Sequence, residues 1–81
     1  MDNKTAIIDR KVWNLIEDAS AQACAEYGVN EKEVWDDKRF GYLQEFADGL
    51  IQDVLGWGRS YESVRFSAIN YVRAVIMQFA A

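Results

Sequence analysis

Not one proline interrupts the 81 residues, so nothing forcibly breaks a helix, and punctuation falls to Gly28, Gly41, Gly49, Gly56 and Gly58. Between those glycines the apolar residues recur at helical spacing. Val12, Ile16, Ala19, Ala23 and Tyr27 form one stripe, with Asn14, Glu17, Asp18, Gln22 and Glu26 on the other side. This predicts a first helix from about Arg10 to Tyr27, capped by Asp9 and stopped at Gly28. Its alanines at 19, 21, 23 and 25 carry little bulk, so another helix can approach closely there.

Asn30 opens a second helix, with Glu33 three residues on in a capping-box arrangement and Glu31 well placed in the first turn. Gly41 either ends that helix, kinks it or sits inside a longer one. From Phe40 the stripe Phe40, Leu43, Ala47, Leu50, Val54 and Trp57 is widened by Phe46, Ile51 and Leu55, the breadth of a core-facing bundle helix. Gly56-Trp57-Gly58 is a stop and a short turn.

Ser60 caps a last helix running to the chain end. Val64, Ala68, Tyr71, Val72, Val75, Ile76 and Phe79 make its main stripe, and Phe66, Ile69 and Met77 a second one on another face. A helix apolar nearly all round is buried nearly all round. In a domain this small it is either central or shared with a second subunit, which marks Phe66, Ile69, Arg73 and Met77 as an oligomer interface, a dimer first. The expected fold is all-α: one domain over 1–81, a small antiparallel bundle of three helices, or four if Gly41 divides two. Pairing the third segment with the last helix would also join opposite charges. Phe40 to Gly58 holds Glu45, Asp48 and Asp53 with no base, while Arg59 to Ala81 holds Arg59, Arg65 and Arg73 with only Glu62.

Composition excludes much chemistry. With no histidine, neither Ser–His nor Cys–His catalysis can arise within the chain, and zinc sites built from Cys and His fail. Cys24 is alone, so it forms no intrachain disulfide and reads as a small packed residue. Glu45, Asp48 and Gln52 share a face, but the Glu-x-x-His pairs of diiron bundles cannot form. The acids around Asp36 and Asp37 do not match a calcium loop, and the glycines make no phosphate cradle. No cofactor or metal is expected, and a carboxylate-based metal protein is the last of the alternatives. The segment Met1-Asp2-Asn3-Lys4 lacks the pattern of a signal peptide, and no apolar run has the length of a membrane span. Together with the free thiol this leads to a cytoplasmic expectation.

Two nucleic-acid readings compete with ordinary protein binding. Ala23, Cys24, Tyr27, Gly28, Val29 and Val34 stand in helix-turn-helix order, with Asn30 to Arg39 as the recognition helix. Its outward acids Glu31, Glu33, Asp36 and Asp37 would meet phosphates with like charge, and the net charge of −4 disfavours nucleic acid. The same acids, with Glu45, Asp48 and Asp53, could instead imitate DNA toward a nucleic-acid-binding protein. Lys32, Lys38 and Arg39 interrupt that surface. The favoured expectation is therefore a non-catalytic protein–protein interaction module. It would use the acidic face and the aromatic anchors Trp35 and Trp57. It resembles only in general type the small inhibitors and regulators carried by phages and mobile elements, with no motif behind the likeness.

Overall fold

The computed structural model describes residues 3–81, and Met1 and Asp2 of the segment read for a leader lie outside the described residues. The order of helices is α1 (Asn3–Tyr27), α2 (Glu31–Val34), α3 (Asp37–Trp57) and α4 (Tyr61–Ala80), with no strand among the described residues. The chain is the all-α bundle its periodicity predicts.

Local signals set most boundaries. Gly28 takes the left-handed conformation at φ 67°, and Val29 N–H returns to Cys24 O at 3.0 Å to close α1. Asn30 caps α2, its Oδ1 accepting from Lys32 N–H at 2.8 Å. Gly58, at φ 66°, ends α3, and Ser60 caps α4 by accepting from Ser63 N–H at 3.2 Å. None of these features depends on distant residues.

Three expectations are corrected. α1 begins at Asn3 rather than near Arg10, because Ile8 lies one turn before Val12 on the buried stripe and extends its packing. The second helix breaks at Trp35 and Asp36, not at Gly41, which lies inside α3. Asp36 starts α3 afresh, its Oδ1 accepting from Arg39 N–H at 2.9 Å. The break also removes the continuous recognition helix from Asn30 to Arg39 that the helix-turn-helix reading requires. Third, the central helix is α1, which packs closely against each of the others and most extensively against α4. The apolar α4 lies to one side.

Contacts along the helices fix their directions. Lys11 Nζ sits 4.9 Å from the centre of the Tyr61 ring, and Arg73 pairs with Glu26 at 2.9 Å, so α1 and α4 run the same way. Asp53–Arg59, the stacked Phe46 and Tyr71 rings, and Arg39 over Phe79 place α3 antiparallel to α4. Consecutive long helices are thus antiparallel. Among the described residues, the expected pairing of acidic α3 with arginines is realised only at Asp53–Arg59, since Arg73 turns to Glu26 of α1.

The centre is aliphatic and small. Val12, Ile16, Val34, Val64, Val72 and Ile76 are fully buried, and Ala19, Ala23 and Ala68 let α1 and α4 close on each other. Each fully buried Val or Ile contributes about 1.5–3 kcal/mol. The large rings of Trp13, Trp35, Phe46, Tyr61, Tyr71 and Phe79 pack around this centre as a half-buried rim.

Candidate partner-binding surfaces

The last residue of α3, Trp57, stands out in solvent at the edge of the α3–α4 turn. Its side chain is 86% exposed, the largest exposure among the exposed large apolar residues described. Yet the turn beneath it is fixed. Gly58 and Arg59 both direct their N–H groups to Asp53 O, the latter at 3.1 Å. The Arg59 guanidinium bonds to Asp53 Oδ2 at 3.0 Å, to Ser63 Oγ at 2.9 Å and Ser63 O at 3.1 Å, and also to Ser67 Oγ. Asp53, read as part of an acidic partner face, is therefore a strut of this turn.

A second feature is a cleft of about 470 Å³ between α1 and the corner where α2 meets α3. Buried Ile16 and Leu43 form its base. Trp13, Trp35 and Phe40 supply its aromatic lining, with the Trp13 and Phe40 rings 6.0 Å apart and tilted by 30°. Glu17, Glu31 and Gln44 add polar groups, and Ser20 ties the corner together. Trp35 Nε1–H donates to Ser20 Oγ at 2.7 Å, and Ser20 donates to Glu31 Oε2 at 2.9 Å. Trp35, expected as a partner anchor, is half-buried and clamps the corner to α1. Sequence reasoning missed Trp13, Glu17, Ser20, Phe40 and Gln44 as lining, and Trp13 also packs against the core. The available signal was spacing: Trp13, Glu17 and Ser20 share a face of α1 at offsets of four and three, as Phe40 and Gln44 do on α3.

The expected acidic face is divided among roles. Glu31 is bonded to Ser20, Asp36 caps α3 and pairs with Arg39 at 2.9 Å, and Asp53 holds Arg59. Glu33, Asp37, Glu45 and Asp48 are exposed and, among the described residues, in no ion pair. The last three share the outward face of α3, while Glu33 belongs to α2. The proposed oligomer stripe divides too: Phe66 is 63% and Met77 50% exposed, whereas Ile69 packs against the core and Arg73 is held by Glu26.

Cys24 is buried, and burial pushes its thiol pKa up, with the Glu31 carboxylate adding to the rise against a lowering hydrogen bond with Ser20. The thiol stays protonated at neutral pH, the inert state of a packed cysteine. Among the described residues no three His, Cys, Asp or Glu side chains stand together as a metal site, and no helix is long and apolar enough to cross a membrane. What the geometry defines is an all-α bundle with a fixed aromatic knob and an aromatic cleft with carboxylates. No protein-family model, curated protein sequence or solved structure matches this chain.

Proposed function

We propose that this chain is a non-catalytic protein–protein interaction module, a small cytoplasmic regulator or inhibitor that binds a larger protein through Trp57. The observation supporting this reading is a tryptophan 86% exposed at the end of α3, beside a turn locked by the Arg59 hydrogen bonds. Tryptophan is among the commonest energetic anchors of interfaces. An anchor beside a rigid turn loses little freedom on binding, so more of its contact energy survives as affinity.

The test compares immobilised wild-type protein with Trp57→Ala in lysate of the native host. A hot-spot residue is worth about 2 kcal/mol or more, about thirty-fold in affinity. A host protein should be retained by wild type and lost with the variant. The melting temperature should stay unchanged, since Trp57 packs against little. If both proteins retain the same partners equally, Trp57 is not the anchor.

Self-association through α4 is the second element of the proposal. It is favoured by the exposure of Phe66 and Met77 along one stripe of a helix whose opposite face is fully buried.

A further inference from the structure

The cleft at the α1–α3 corner has a chemistry that selects its occupant. Three aromatic rings line it, yet no lysine or arginine does. Elsewhere the chain places cations of its own over rings, Lys11 on Tyr61, Arg39 on Phe79 and Arg73 on Tyr27. Among the described residues, the rings of Trp13, Trp35 and Phe40 carry none. Two donors of the corner are engaged within it: Trp35 Nε1–H on Ser20, and the Ser20 hydroxyl on Glu31. The rest of the polar lining is the Glu17 carboxylate, the second oxygen of Glu31 and the Gln44 amide, so charge in the cleft is acidic only.

We propose that this cleft binds the guanidinium of an arginine carried by a basic protein segment, an inference that rests on reading the chain as a protein-binding module. A guanidinium brings five N–H donors in a planar fork, stacks on aromatic faces and is weakly hydrated. It answers both halves of the lining at once, rings and carboxylates. A quaternary ammonium would satisfy the rings and leave the carboxylates without donors. An ammonium is more strongly hydrated and gives up more on entering an apolar space. The volume lies within the range of ligand pockets, which leaves room for the side chain and part of the peptide bearing it. The net charge of −4 draws a basic segment rather than an acidic one.

The three tryptophan indole N–H signals of the ¹⁵N-labelled full chain provide the readout. The probes are a capped glycine–arginine–glycine tripeptide, its citrulline counterpart (the same shape without the charge) and free arginine. The arginine peptide should shift the Trp13 and Trp35 signals saturably and leave Trp57 unmoved. A charge-assisted hydrogen bond contributes enough that Glu17→Gln or the citrulline peptide should bind about tenfold or more weakly. Glu17 is exposed, and Glu31→Gln retains an oxygen for Ser20, so both variants keep the fold; Glu31→Gln should weaken binding similarly. No saturable shift at millimolar peptide, equal binding of the citrulline peptide, or unchanged binding by both variants overturns the proposal. Free arginine binding as tightly as the peptide overturns the protein segment as its source. Trp57 is the silent control here, so failure at the cleft leaves the lysate test of Trp57 standing.

Discussion

Ser20 occupies a position where a helix otherwise buries apolar atoms, one turn from both Ile16 and Cys24, and it is nonetheless 3% exposed. Its hydroxyl is usable there because it has both an acceptor role, for Trp35, and a donor role, toward Glu31. Ser20→Ala leaves the half-buried indole N–H without its partner. The expected loss is about 1 kcal/mol, since water reaches part of the site, read as a lower urea midpoint at unchanged slope. Two further residues set the response to base. Burial raises the pKa of Cys24, and burial with the neighbouring Glu45 and Tyr42 raises that of Tyr71. For both, the folded state holds the proton more tightly than the unfolded state. Their stabilisation is full below the unfolded pKa values, about 8.5 for Cys and about 10 for Tyr, and is lost as pH rises toward the higher folded values. Denaturation midpoints should therefore fall from about pH 9 upward. Cys24→Ala should flatten the early part of that fall, and Tyr71→Phe, which keeps the stack on Phe46 at 4.2 Å, the later part. An alkaline limb equally steep in all three proteins would refute this assignment.

At the scale of elements, two glycines that look alike in sequence do opposite things. Gly41 lies within α3 and Gly58 ends it with φ 66°, and a Cβ at either would meet nothing within 4 Å beyond its chain neighbours and helix backbone. Packing is therefore silent at both, and the backbone decides. Gly41→Ala should stabilise the protein by about 0.5–1 kcal/mol through helix propensity. Gly58→Ala forces an L-residue into left-handed space and should cost about 1–2 kcal/mol. Thermal melts of the two variants, moving in opposite directions, test this; a gain at Gly58 would be inconsistent with its conformation. The same contrast explains what was legible. Caps and stops at Gly28, Asn30, Gly58 and Ser60 are decided within a few residues and could be read directly. The break at Trp35 was hidden, because Asp36 stands among charged residues that suit an exposed helix face. Its cause is partly tertiary: Trp35 reaches across to Ser20, with φ −91° and ψ 64°, while Asp36 caps α3. The cleft was hidden for the same reason. It draws on residues from Trp13 to Gln44 and exists only once α1 and α3 are laid together.

The whole molecule is a slab, 39 × 24 × 15 Å, its length close to that of α1 at 1.5 Å per residue. So thin a body has one central helix, and that place is taken by α1. The all-round apolarity of α4 then has no intrachain explanation on the stripe of Phe66 and Met77. Contact with a second copy would supply one. A standard interface buries about 800 Å² per partner, about a seventh of the 5506 Å² surface here. Two side chains do not cover that, so the contact would have to run along the slab beyond them. Arg73, on the same stripe, is already neutralised by Glu26 and adds no unpaired charge to such a contact. Sedimentation equilibrium over a wide concentration range should show a reversible dimer for wild type. Phe66→Glu should shift it to monomer with helix content unchanged, since the ring is largely in solvent. A wild type that stays monomeric at the highest concentration would detach the apolar stripe of α4 from self-association, leaving Trp57 and the aromatic cleft as the proposed binding surfaces.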